Sequence, residues 1–306
     1  MERGVRSLAA VTGALRPLRT ATIVGLSVFG LLAFAACMLW QPAQPDFHSV
    51  VGFDAFAYWH VDPMHPYQAP LGTFSSFTYS PAFALVSSQA HVIPFWLFYV
   101  LWDSFLILLF VWLTRRMAWV WLAFLPVPME LYHGNVHILL AAVCVLGFEY
   151  PALWSIGLLT KVTPGISLLW FAVRREWRSL GLALGATAAI SAVSFAIAPS
   201  AWFDWVRFLI DSNSSGPQVN GTWQYLLPPL WLRLAVAAVL VVWGARTDRR
   251  WVVPVAVAAS MPVIWPITPT LLLAIPRLRS RALPRASRPD AECLSAQPLA
   301  AAGSVS

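Results

Sequence analysis

The chain has 306 residues, 59% of them hydrophobic and 11% charged, with a mean hydropathy of +0.68. Soluble domains carry about 25% charged residues, so this composition excludes a soluble protein and predicts a polytopic membrane protein. The net charge of +7 does not indicate nucleic-acid binding, because most of the nineteen Arg residues lie at the ends of apolar runs, where membrane lipids are the expected partner.

The chain begins with a basic stretch, residues 1–19, and continues into a predicted first span from Thr20 to Trp40. The polar interval 41–80 follows and holds three of the six histidines and three of the thirteen acidic residues. Within it, Gly52–His60 is predicted to form an amphipathic helix along the membrane surface, with its aromatic rings at headgroup depth. This interval is where we expect chemistry.

Nine further apolar segments are predicted to cross or enter the membrane as helices, since lipid cannot satisfy open backbone groups. The fold class is therefore all-α, a helical membrane protein with about ten transmembrane segments. Several segments are short and contain proline, which indicates irregular helices around a cavity. The predicted bounds are 81–91, 95–113, 118–131, 136–148, 154–173, 180–198, 226–243, 251–265 and 267–275.

A second polar stretch, residues 199–224, is predicted to form a solvated amphipathic helix with an ion pair between Asp204 and Arg207. Fifteen of the twenty basic residues lie in four segments that are assigned to the cytoplasm. This bias predicts a multi-pass cell-membrane protein with both termini in the cytoplasm and both polar stretches outside. Residues 1–276 are expected to form one membrane domain, followed by a basic, disordered tail, residues 277–306.

Asp54, in the sequence GFDAFAYWH, lies near the predicted interface after the first span. A carboxylate at such a position is costly to desolvate, and it can act as a general base. A solvated loop carboxylate, or a cap on the following helix, also explains the residue without a function.

Lys161 is the only lysine of the chain and lies in an apolar run, LLTKVTPG. A buried lysine needs a wet cavity or a partner, either a phosphate or a carboxylate such as Glu130 or Glu149. Pro164, three residues later, is expected to open the helix backbone.

His133 and His137 are four residues apart and share one face if they lie on one helix. Gly134 stands where the zinc signature H-E-x-x-H requires glutamate, and no third ligand is evident. The sequence therefore predicts no metal site and favours polar helix packing through Asn135.

Five short elements occur together in an order that resembles glycosyltransferase family 87, within the glycosyltransferase C (GT-C) superfamily of integral membrane sugar transferases. They span over half of the chain, roughly residues 20–180. The elements are Asp54 with Tyr58, the pair Pro66–Tyr67, the entry Phe77–Pro81, the pair Gly134–Asn135, and Lys161 with Pro164 before the stop Arg174–Trp177.

The resemblance implies a polyprenyl-phosphate-linked sugar donor, mannose above other sugars, and a lipid- or glycan-linked hydroxyl acceptor on the outer face. Transfer is expected with inversion and without a nucleotide sugar, and no cofactor is predicted. Asp54 matches the catalytic aspartate of the family. Tyr58, Tyr79 and Asn135 lie in the matching elements and are candidates for substrate binding.

Two cations are candidates for the donor phosphate. The assignment of Lys161 is our inference from its charge. A late family segment often carries histidine, but the corresponding 261–269 contains Trp265 and no histidine, so Arg233 is the other candidate. Two alternatives stay open: a non-catalytic family member or polyprenyl-lipid binding or transport protein, and an ion-coupled transporter, for which no internal repeat is visible.

Overall fold

The computed structural model describes residue 28 and the ranges 51–70, 75–214 and 227–280. Every regular element within these three ranges is a helix, which confirms the all-α prediction. The predicted first span, Thr20–Trp40, and the tail beyond residue 280 lie outside the described ranges.

The α-helices of the three ranges alternate with short 3₁₀ segments. Proline and glycine residues set boundaries of both kinds of helix. The α-helices are α1 (Phe53–His60), α2 (Pro81–Ser87), α3 (Phe95–Thr114), α4 (Ala118–Leu122), α5 (Pro126–His133), α6 (His137–Leu146), α7 (Trp154–Thr160), α8 (Leu169–Val173), α9 (Trp177–Ile197), α10 (Pro199–Ser214), α11 (Leu230–Thr247), α12 (Val252–Ser260) and α13 (Ile275–Ser280). The 3₁₀ segments are Ser88–Val92, Arg115–Met117, Pro151–Leu153, Thr163–Leu168 and Thr268–Ala274.

Three helical segments of the described chain are long and apolar enough to cross a membrane: Phe95–Leu122, α9 and α11. The pair α5 and α6 is a fourth candidate if its two halves, bent by 111°, form one broken span. These segments support a membrane protein. The total of about ten spans stays a prediction, because the other predicted segments are shorter or lie outside the described ranges.

Two predicted spans are interrupted within their length. Residues 118–131 divide into α4 and α5, and Pro126 opens the second of these helices. Residues 154–173 divide after Thr160, where Lys161 is extended and a 3₁₀ segment containing Pro164 follows. The interruption confirms that this proline opens the backbone.

The core is centred on α6, a helix with eight buried residues among its ten. It packs against α3, α7, α12 and the 3₁₀ segment Thr268–Ala274. Packing continues past the predicted domain boundary at residue 276, since Leu278 is buried and the Arg277 guanidinium donates to the Trp112 carbonyl. Because α6 is so well packed, it gives rigid support to the turn that precedes it.

Candidate functional site

The candidate site is built on the turn between α5 and α6. Gly134 ends α5 in the left-handed conformation, with φ of +69°, and a Cβ there would lie 2.8 Å from the Cβ of Ala55 in α1. The Gly52 N–H donates to the Tyr132 carbonyl at 2.8 Å, and Trp102 Nε1 donates to the Gly134 carbonyl at 2.7 Å. Only glycine combines this φ with so close an approach, so α1 is held directly against the turn.

The bend at Gly134 separates the two histidines. His133 ends α5 and its Nδ1 donates to the Met129 carbonyl at 2.8 Å, whereas His137 begins α6. The condition for a shared helix face is not met, because the two histidines lie on different helices. Among the described residues, no group of three or more His, Cys, Asp or Glu is placed to hold a metal ion.

Glu130 is completely buried and caps α6. Its Oε1 accepts the N–H groups of His137 and Ile138 at 2.5 and 3.2 Å, and its Oε2 lies 3.1 Å from His137 Nδ1. A carboxylate at a helix N-terminus satisfies open N–H groups and complements the helix dipole. From the sequence, Glu130 was expected only as a partner of Lys161. The signal for its capping role is its position seven residues before the start of α6.

Asn135 connects this turn to Asp54. Its Oδ1 accepts the Val136 N–H at 2.6 Å, and its side chain also hydrogen-bonds with the Asp54 carboxyl. Since a side-chain amide has one accepting and one donating end, Nδ2 is the donor to Asp54. Asn135 is buried, whereas Asp54 keeps part of its surface accessible.

The groups around Asp54 have opposing effects on its pKa. Asp54 lies on α1, outside the candidate spans. Burial raises the pKa of its carboxyl above the ordinary value, while the charges of His133 and Lys161 and the hydrogen bond from Asn135 lower that pKa. Glu130 adds a smaller effect that raises it. A half-buried carboxylate with a raised pKa is a suitable proton acceptor near neutral pH.

Lys161 lies at the break after α7, close to two tyrosines. Its Nζ is 4.6 Å from the centroid of the Tyr79 ring, and the Tyr79 and Tyr58 hydroxyls are 2.8 Å apart. The break is fastened to the start of α2, because the Ser80 hydroxyl donates to the Leu159 carbonyl at 2.5 Å. Within the described residues Lys161 forms no ion pair closer than 4 Å. Its charge acts on Asp54 and Glu130, and the other carboxylate considered, Glu149, is exposed.

The predicted site residues differ in exposure. Tyr58 and Tyr79 are buried, with 1% and 4% of their surface exposed, and Tyr58 packs edge-on against Tyr79 and Trp102. The Tyr58 ring therefore packs inside the protein, and the depth of the α1 aromatic rings in the membrane stays a prediction. Asp54 and Lys161 are half-buried charged groups in the same cluster, so they can meet a ligand while the tyrosines support them.

Arg233 lies apart from this cluster. Its guanidinium donates to the main-chain carbonyls of residues 228, 259, 261 and 262, at 2.5 to 3.2 Å. These bonds fasten the start of α11 to the end of α12. Toward Lys161, the Met261 sulfur lies 3.8 Å from the Thr163 hydroxyl, and the Ser260 hydroxyl donates to the Thr163 carbonyl at 3.3 Å. The structure does not bring Arg233 together with Asp54.

Comparison with known proteins adds one finding. The model of glycosyltransferase family 87 matches residues 77–285, which is more than half of the chain. The matched range begins at Phe77 and includes Tyr79, Asn135 and Lys161, whereas Asp54 precedes it. No curated protein matches the chain. No solved structure matches it either.

Proposed function

Because this chain belongs to glycosyltransferase family 87 and has helices that can cross a membrane, we propose that it transfers mannose from polyprenyl phosphate to a lipid- or glycan-linked hydroxyl. Transfer takes place on the extracytoplasmic face of the cell membrane. Glycosyl transfer follows from the family. The donor, the sugar and the side of the membrane are our proposal and rest on the resemblance and on the distribution of basic residues.

Asp54 is the proposed general base. The acceptor oxygen forms a bond to the anomeric carbon while the bond from that carbon to the phosphate oxygen breaks. The acceptor proton passes to the Asp54 carboxylate, polyprenyl phosphate leaves with the electron pair, and the configuration is inverted. The observation that carries this proposal is the accessible, half-buried carboxylate of Asp54, fixed in direction by the Asn135 amide.

Lys161 is the proposed partner of the donor phosphate. A preformed positive charge stabilises the charge that develops on a leaving phosphate. The Tyr79 ring beneath the ammonium offers a cation–π contact, and the Tyr58 hydroxyl fixes that ring. Arg233 has a weaker claim to this role, since it is hydrogen-bonded to four carbonyls.

The proposal is tested with membranes that contain the full chain and radiolabelled donors. The donors are polyprenyl phosphate carrying mannose, arabinose or glucose, and GDP-mannose. We expect transfer from polyprenyl phosphate mannose and none from GDP-mannose, and no transfer by Asp54→Ala at equal protein level. Transfer from the nucleotide sugar would contradict the donor, and full turnover by Asp54→Ala would contradict the base.

One observation favours a second function, that of a polyprenyl-lipid binding protein without transfer. No histidine follows His137 in the chain, so the late histidine often found in the family is missing. This alternative predicts that the wild-type protein binds polyprenyl phosphate, measured by retention of labelled lipid, while every donor in the panel stays intact.

A further inference from the structure

Helix α10 begins directly after the membrane-spanning α9 and folds back on its end. Ala198, between the two helices, is not helical, with φ of −135° and ψ of 68°. Trp202 Nε1 donates to the Ser194 hydroxyl at 3.2 Å, and the rings of Phe195 and Phe203 are 6.0 Å apart. Residues eight apart in a straight helix are separated by about 12 Å, so α10 turns sharply away from the axis of α9.

One exposed edge of α10 is apolar. Phe203, Val206 and Ile210 are 60%, 49% and 61% exposed and lie three and four residues apart, which puts them in one line along the helix. The line is continuous with α9, since Phe203 contacts Phe195 and the end of α9 exposes Val193 and Ile197. The only buried residues of α9 are Ala183 and Ser194, so its apolar surface faces outward along the whole span.

The neighbouring edge of α10 is charged. Asp204, Arg207 and Asp211 have the same spacing of three and four residues, about 100° around the helix from Phe203. The Arg207 guanidinium lies 3.5 Å from the Asp204 carboxylate, and its side chain is 78% exposed. Charged side chains that lie this close together on one exposed edge must stay in contact with water.

The remaining side of α10 packs on the protein. Ala201 is fully buried, and the Phe208 ring stacks on Tyr67 with centroids 5.2 Å apart. Tyr67 in turn donates its hydroxyl to the Tyr79 carbonyl at 2.7 Å. The helix is thus held between the site and the outer surface, with its exposed part divided lengthwise into an apolar and a charged edge.

We propose that α10 is an interfacial helix. Its apolar edge enters the hydrocarbon of the leaflet on the side of the candidate site, and its charged edge stays in water. A helix with this lengthwise division lies in the plane of the membrane surface, and the continuity with the outward surface of α9 places the two at the same boundary. This orientation of α10 does not depend on which donor the protein uses.

The test uses spin labels on the full chain in phosphatidylcholine–phosphatidylglycerol vesicles. Cys37 and Cys293 are replaced by serine and the buried Cys144 is kept. Single cysteines are introduced by Phe203→Cys, Val206→Cys and Ile210→Cys on the apolar edge. The matched variants on the charged edge are Asp204→Cys, Arg207→Cys and Asp211→Cys.

We expect the ratio of oxygen accessibility to water-soluble nickel-complex accessibility to be several-fold higher on the apolar edge. Equal ratios at all six positions would overturn the proposal, because the helix would then lie wholly in water or wholly in lipid. Labels on the apolar edge that are shielded from both reagents would also overturn it and would indicate a protein partner. If Phe203→Cys does not fold, Val206→Cys and Ile210→Cys carry the same comparison.

Discussion

Asp54 and Asp62 lie eight residues apart in one polar interval, but their surroundings differ completely. Asp62 is an exposed side chain whose partners are the Met64 N–H at 2.9 Å and His65 Nδ1 at 3.2 Å. The hydrogen bond from Met64 is the main reason that the pKa of Asp62 is lowered. The pKa of Asp54 is raised by burial, and the groups that act on it come from distant segments of the chain.

Asp62 therefore belongs to a local turn, whereas Asp54 belongs to a site assembled from distant segments. The partners of Asp62 are within three residues, so they fix the local path of the chain whatever the rest of the protein does. The partners of Asp54 follow at residues 130–135 and at residue 161, and they meet it only when the helices have packed. Position within a polar interval therefore does not decide whether a carboxylate has a function, whereas the segments that fold onto it do.

Substitution of the two carboxylates should change sugar transfer very differently. Asp54→Asn should reduce sugar transfer by about 10²- to 10⁴-fold, the usual contribution of a general base, whereas Asp62→Asn should keep wild-type turnover. Initial rates at equal protein level in membranes measure both. A comparable loss in the two variants would contradict the distinction.

The same pair of variants has an expected signature in stability. A carboxyl with a raised pKa favours its neutral form in the folded state, so ionised Asp54 lowers the free energy of unfolding at neutral pH. Asp54→Asn should therefore match or exceed the wild-type Tm in detergent. A clear drop in its Tm would show that the lost activity comes from misfolding.

Gly134→Ala should loosen α1 from the turn that holds Asp54. The added methyl group would lie 2.8 Å from Ala55, and the left-handed backbone costs a side chain about 1–3 kcal/mol. The free energy of unfolding and the transfer rate should both fall, as measured by thermal unfolding and by initial rates. Gly181→Ala is the matched control, since a methyl group there meets nothing within 4 Å.

The pH dependence of transfer tests the assignment of Asp54 as the base. Asn135→Ala removes a hydrogen bond, and Lys161→Met removes a charge, that each lower the pKa of Asp54. Its pKa then rises further, and a base must be deprotonated to act, so the acidic limb of kcat/KM should move to higher pH. Lys161→Arg keeps the charge and should keep the limb in place. A shift of the limb to lower pH would contradict the assignment of Asp54 as the base.

Tyr67→Phe, five residues after Asp62, should have a small effect on stability and on transfer. The variant loses the hydrogen bond to the Tyr79 carbonyl, which contributes about 0.5–1.5 kcal/mol. The Tm should fall slightly and the transfer rate by less than tenfold, because the ring can still stack on Phe208. Loss of all transfer would mean that the Tyr67 hydroxyl meets the substrate.

The sequence predicted much of the fold and part of the site. Composition is enough to predict helices and a membrane, and Pro164 is enough to predict the break at Lys161. The resemblance to glycosyltransferase family 87, based on five short elements, is confirmed by the family match. These features depend on local chemistry or on motif order, which are readable along the chain.

The cap by Glu130 and the geometry of the bend at Gly134 could not be predicted in the same way. The cap by Glu130 requires the 111° change of direction between α5 and α6, and α1 packs closely against that turn. The predicted bounds 118–131 and 136–148 placed a break beside His133 and His137, but they gave neither its angle nor its contacts. The turn packs closely against Ala55, about eighty residues earlier in the chain, and spacing does not reveal that contact.

The Glu130–His137 pair has a consequence for biosynthesis. A charged side chain at the centre of a membrane helix costs about 2.5–3.5 kcal/mol to insert. The N–H groups that donate to Glu130 belong to His137 and Ile138, which are synthesised seven and eight residues later. The cost is therefore removed only after the chain has turned at Gly134 and the first turn of α6 has formed. If α5 and α6 form one broken span, we expect the two helices to enter the bilayer together.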